Sequence, residues 1–170
     1  MISAFLLAVA IQTKTFDRCG IHLSYPATWS FHMNRRDAYT WDLKQVRCTI
    51  DLGDSDVPAV TIVVTDQPLL AIAKNAGFRP AEEFETLYGQ MPAALKPGDW
   101  GVDGLGIARA NHFHTQCCEV LRGSLVNRDS HSSELAVIGR GRHSAIVSTA
   151  SDVTFTDALT LIVKSFRFEK

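Results

Sequence analysis

Along the first half of the chain, apolar and polar residues alternate with a period of two. Cys19, Ile21, Leu23 and Tyr25 share one parity, and His22 and Ser24 take the other. Side chains of a strand point alternately to opposite faces, so this spacing predicts a strand with one face buried. Trp29, Phe31 and Met33 alternate with Ser30 and His32, and Tyr39, Trp41 and Leu43 repeat the pattern. Val46, Cys48, Ile50 and Leu52 alternate with Arg47, Thr49 and Asp51, and Val60, Ile62 and Val64 continue it. Tyr25-Pro26, Asn34-Arg35-Arg36-Asp37 and Gly53-Asp54-Ser55-Asp56 punctuate these runs as turns.

The period then lengthens. Asp66 is placed to cap a helix that Pro68 opens and Gly77 ends. Pro80, Glu82 and Glu83 open a second helix, with Phe84, Leu87 and Tyr88 on one stripe and Gly89 at its end. Residues 91–106 are rich in Gly and Pro and read as the longest loop. Strands return from Leu105 to Ala150, with Gly139-Arg140-Gly141-Arg142 as a hairpin turn. A last helix carries Phe155, Ala158, Leu159, Ile162 and Val163 on a continuous apolar stripe, and Ser165-Phe166-Arg167-Phe168 forms an extended tail. Strands, helices, strands and a helix in that order predict an α+β domain with a twisted, mainly antiparallel sheet of about six to seven strands flanked by helices.

Composition adds bounds. The chain has 170 residues, 46% hydrophobic and 21% charged. That length suits a single domain, residues 11–170, large enough to build a core without metal or disulfide. Lys and Arg number 17 against 18 Asp and Glu, a net charge of -1. No basic excess is present to neutralise phosphates, so no nucleic-acid partner is expected. Residues 1–10 form an uncharged apolar run, too short to span a bilayer. They suit the apolar region of a signal peptide, with Ala8-Val9-Ala10 as its cleavage site, although no Lys or Arg precedes the run. Export to the periplasm or the extracellular space is the expectation. The alternative is a cytoplasmic chain in which these residues pack on the core.

In an exported chain a structural disulfide becomes plausible. Cys19 with Cys48 is the expected pairing, closing a loop that stabilises by roughly 3 to 4 kcal/mol; two buried thiols fit the parity equally well. Cys117 and Cys118 are adjacent, with Cα atoms closer than a disulfide prefers, so no bridge is expected between them.

Gly20-Ile21-His22-Leu23-Ser24-Tyr25-Pro26-x-x-Trp29 near the start and Ile162-Val163-Lys164-Ser165-Phe166-Arg167-Phe168 at the end are the motif-like segments. On them, and on the order of elements between, the chain resembles the PsbP-like family. That family includes the photosystem II extrinsic subunit PsbP, the Ran-binding nuclear import factor of the same fold, and bacterial envelope proteins of the DcrB and LpqN type. The resemblance implies non-enzymatic work: binding a protein partner or helping a membrane-associated complex assemble. It implies no cofactor and carries over no catalytic residue.

The chemistry-bearing candidates are few. On an unbroken strand His112, His114 and Cys118 would share a face, and two imidazoles with a thiolate suit zinc or copper. This is the alternative function, a metal-binding or redox protein; the plainer reading puts the histidines on a solvent face. Asp51, Asp54 and Asp56 crowd a turn without the spacing of a calcium loop. Arg140, Arg142 and His143 could grip an acidic partner from a hairpin tip. Trp100, in the long loop, is either an exposed anchor for a partner or the cap of a small core. The expected function is therefore an exported protein-binding or assembly module, its partner unidentified, with a cytoplasmic chaperone or adaptor of the same fold as a further alternative.

Overall fold

The computed structural model describes residues 12–34, 43–54, 57–126, 132–150 and 156–169. The apolar run at residues 1–10, Tyr39, Trp41, Asp56 and Phe155 lie outside them. The chain opens with a hairpin, β1 (Thr13–Arg18) and β2 (Ile21–Pro26). Arg18 faces Ile21 across it, which leaves Cys19-Gly20 as the turn. Both turn residues have positive φ, 59° and 71°, the geometry that matches the twist of the flanking strands. Gly20 adopts it freely; Cys19 does so with a side chain. Cys19 is thus a turn residue, and the strand begins at Ile21, where Ile21, Leu23 and Tyr25 are buried in strict alternation.

After a turn in which Trp29 N–H donates to Pro26 O come β3 (Ser30–Asn34), β4 (Val46–Gly53) and β5 (Val60–Thr65). Then follow α1 (Leu69–Asn75), β6 (Phe78–Pro80), α2 (Ala81–Tyr88) and β7 (Trp100–Asp103). The rest comprises β8 (Ile107–His114), β9 (Glu119–Val126), β10 (Ser132–Arg140), β11 (His143–Thr149), α3 (Thr156–Ser165) and β12 (Arg167–Phe168). The domain is α+β and the strand pairings among the described residues are antiparallel, but these residues form 12 strands rather than six to seven. The extra strands are mostly short. β6 has 3 residues, β7 has 4 and β12 has 2, too few to carry a periodic signal.

The strands form a three-stranded sheet, β1-β2-β12, and a nine-stranded sheet, β3-β4-β5-β11-β10-β9-β8-β7-β6. The large sheet is covered on both faces. On one, Ile50, Leu52, Val60, Ile62, Val64, Val120, Ala136, Ile138 and Val147 pack against Leu23, Tyr25 and the buried stripe of α3, Ala158, Leu159, Ile162 and Val163. On the other, Leu121, Leu135, Val137 and Ile146 pack against Leu69, Ile72 and Ala73 of α1 and against Phe78. Double cover explains why the middle of β10 and β11 is apolar without alternation.

The two motif-like ends meet. Phe168 pairs with Ile21 and Arg167 with His22, while Ser24 N–H donates to Ser165 Oγ at 2.8 Å. Asp66 does not cap α1, whose N-cap residue is Pro68 with no side-chain cap. α2 buries Phe84 but leaves Leu87 and Tyr88 59% and 54% exposed, so the expected stripe enters the interior at one residue only. Among the described residues no helix is long and apolar enough to cross a membrane.

Candidate binding groove at the edge of β8

Directly opposed residues of antiparallel strands share a face. One row therefore runs Met33, Ile50, Ile62, Val147, Ala136, Arg122, Asn111 across the large sheet. It is apolar in the middle and turns polar at β9 and β8. Arg109 and Phe113 lie on the same face as Asn111. The main core thus ends at this side of the sheet, and Arg109, Asn111 and Arg122 stand beyond its rim.

The loop between α2 and β7 is fixed by its own small core of Ala81, Phe84 and Leu95, joined by Met91 and Ile107. Gly101 makes this packing possible: a Cβ there would meet Phe84 Cε2 at 2.7 Å and Leu95 Cδ1 at 2.8 Å. Polar bonds hold the end of the loop against α2. Ala81 N–H donates to Asp99 O at 2.9 Å, and Gly98 N–H donates to Glu82 Oε1 at 2.7 Å. The backbone N–H groups of Glu82 and Gly98 hold the Glu82 carboxyl below the usual range. Asp99 accepts from Lys96 N–H at 2.9 Å and from Arg109 Nη2 at 3.0 Å. Only from Trp100 onward does the chain run along β8, so four residues of the expected loop form β7.

The β7–β8 ladder begins at Trp100 opposite Ala110. Asn111–His114 continue β8 past that point and pair with β9 alone among the described residues. Here lies a groove of about 670 Å³, lined by Gly98, Asp99, Trp100, Arg122 and the unbroken run Arg109, Ala110, Asn111, His112, Phe113. Consecutive strand residues point to opposite faces. A groove touching five in a row follows the strand's edge rather than either face. A smaller hollow of about 230 Å³ adjoins it, sharing Arg109, Asn111 and Arg122 and adding Gly123, Ser124 and Glu134. Arg122 donates to Thr160 Oγ1 at 2.8 Å and is ion-paired with Glu134, which accepts from Thr156 Oγ1 at 2.6 Å. Burial pushes the Glu134 carboxyl up, but the bonds from Thr156 and Arg122 outweigh it and hold it low.

Trp100 is half-buried, packed on the second core, with its ring edge-on to His112 at 5.7 Å between centroids. It is neither a free anchor nor wholly a cap, and its exposed part lines the groove. His112 and His114 do share a face, 5.8 Å apart, and His112 Nε2 lies 2.7 Å from Glu119 Oε1. Cys118 does not join them. The metal reading needs an unbroken strand, but β8 ends at His114, and Thr115–Cys118 form a turn closed by Thr115 N–H donating to Cys118 O at 2.8 Å. Cys118 is 4% exposed in the main core, on the other side of the sheet. The three-ligand set is therefore not assembled, and among the described residues no three His, Cys, Asp or Glu side chains gather to hold a metal.

Cys19 and Cys48 are disulfide-bonded, their Cα atoms 6.3 Å apart. Cys117 and Cys118 are bonded as well, with Cα atoms 3.7 Å apart, against the expectation from spacing. Neighbours in a strand would point apart; these two lie in a turn and both face the main core. Arg140 and Arg142 are exposed, as a hairpin tip requires, and Arg140 is paired across from His143. Arg142 lines a separate groove of about 570 Å³ with Gln45 and Asp66. His143 turns back instead: its Nδ1 lies 2.7 Å from Asp66 Oδ1, which also accepts from Arg47 Nη2 at 2.7 Å. The structure does not bring Arg140 or Arg142 to the Trp100 groove.

The residues missed from sequence are Arg109, Asn111 and Arg122. Their signal was present: polar side chains at the parity of Phe113 and Val120, where a core face is due.

No known protein family matches the chain, and no curated protein does. Among solved structures, a protein from Bacteroides thetaiotaomicron VPI-5482 is similar, 11% identical with a TM-score of 0.49. The match covers 94% of this chain and 49% of that one, so the chain spans about half the length of that protein.

Proposed function

We propose that the chain is a non-enzymatic binding or assembly module, exported and of PsbP-like type, whose contact surface is the groove between the Gly98–Trp100 segment and the edge of β8. The observation that carries this reading is the groove itself. It joins the end of the long loop, with Trp100, to a row of polar side chains that the core does not use. A part-exposed tryptophan beside guanidiniums is the composition of a protein-contact centre. The loop is held by its own small core and by bonds to α2, so the surface is formed before a partner arrives.

Native mass spectrometry of the complex taken from the host identifies the partner, and titration with the purified partner measures the contact. Trp100→Ala should weaken that partner by tenfold or more, on the order of 1–2 kcal/mol or above, with an unchanged circular dichroism spectrum. Undiminished binding by a folded Trp100→Ala variant overturns the assignment of this surface.

A further inference from the structure

The groove follows a strand edge, and this limits what can fill it. A backbone edge presents N–H and C=O groups that only another backbone satisfies in a regular way. We infer that the occupant is an extended peptide segment that adds to β8 as a strand opposite Asn111–His114, with acidic side chains on the Arg109–Arg122 face and apolar side chains on the Trp100–His112 face. The inference rests on the groove being the contact surface proposed above.

The position of the missing strand is set by β7. Its ladder with β8 starts at Trp100, while the residues before it, Asp99 and Gly98, are drawn off toward α2. A peptide beside Asn111–His114 continues the line of β7, which no other described residue occupies as a paired strand. Trp100 forms one end of this slot, and the Thr115–Cys118 turn follows its other end.

The two faces of the slot differ in chemistry. Arg109, Asn111 and Arg122 lie on one, the two guanidiniums ion-paired with Asp99 and with Glu134 of the adjoining hollow. Arg109 spends one contact on Asp99, and Arg122 bonds to Thr160 and Glu134; both guanidiniums keep N–H groups over for a further carboxylate. On the other face, Trp100 and His112 present rings. Because an added strand also alternates its side chains, the matching sequence alternates acidic and apolar residues. Backbone pairing supplies affinity and the two faces supply register.

The test uses a short fluorescein-labelled peptide alternating glutamate and valine, titrated by anisotropy into the intact protein. In a strand, alternate amides face the same neighbour. One peptide is N-methylated on one parity of its amides, a second on the other. The expected result is that one methylated peptide loses binding by about tenfold or more while the other keeps it, as the loss of backbone hydrogen bonds requires. Arg109→Ala, at an exposed position, weakens the parent peptide, and a lysine-for-glutamate peptide does not bind. Peptide binding also slows hydrogen exchange within Asn111–His114. Equal binding by both methylated peptides, equal loss by both, or no binding by the parent overturns strand addition. Sedimentation of the protein alone covers the other occupant: a dimer whose formation protects Asn111–His114 assigns the edge to a second copy and also overturns it. None of these outcomes touches the Trp100→Ala result with the native partner, which alone decides whether the groove is the contact surface.

Discussion

Asp66 shows how a single carboxylate is claimed by the tertiary structure. By sequence it is placed to cap α1; in the fold it joins Arg47 of β4 to His143 of β11. The Arg47 guanidinium, with His143 as the second donor, holds its carboxyl below the ordinary range. A depressed carboxyl stabilises the fold above its ordinary titration range, and that stabilisation is lost as the pH falls through the folded value. The urea midpoint of the wild type should exceed that of Asp66→Asn at neutral pH, and the gap should close on acidification through the carboxylate range. A gap that persists in acid shows that the carboxylate charge is not what Asp66 contributes. Deeper in, Ile162 is wholly buried beneath the three-stranded sheet, and Ile162→Ala should cost about 2–5 kcal/mol in denaturant unfolding. The parity of such residues was readable from the chain alone. Where a polar group goes was not, because Asp66 and its partners Arg47 and His143 lie far apart in sequence and meet only across paired strands.

At the scale of elements, the short strands β6 and β7 escaped the pattern, and so did β1, where Phe16 alone is buried and nothing alternates. β2, β4 and β5 were legible because alternation and turn residues coincide there, and the β10–β11 hairpin because Gly139-Arg140-Gly141-Arg142 marks its turn. β7 was hidden by its glycine, which the packing of Phe84 and Leu95 demands. Gly101→Val should therefore overpack that small core, destabilise by about 1–3 kcal/mol and displace the loop that walls the groove. Unfolding curves report the first effect and peptide affinity the second. Cys19 was assigned to a strand, yet its place in the turn is what presents it to Cys48. The bridge spans a sequence separation of 29, and Cys48→Ser should lower stability by about 3–4 kcal/mol in the chain-entropy account. Equal unfolding midpoints with and without reductant would show that the bridge contributes nothing. The candidate site was half legible: Trp100 and the loop were singled out, whereas the rim of Arg109, Asn111 and Arg122 needed the register of β8 with β9 to be known.

At the scale of the molecule, one sheet carries two cores, one on each face, and its central strand is β10, beside β11. Amides of Val63, Val137 and Ile146 should exchange only on global unfolding, and those facing out from the edge at Asn111–His114 far sooner. The β5–β11 pairing has a further consequence during synthesis. Val60 to Thr65 leave the ribosome well before Ser144 to Thr149, their pairing partners, have been translated. For that interval the nascent chain carries an apolar strand with one side unmatched, and the segment that roofs it, α3 and β12, arrives later still. Such an edge is an invitation to wrong pairing. Stable structure therefore waits for β11, and a polypeptide halted ahead of His143 should aggregate rather than fold in part.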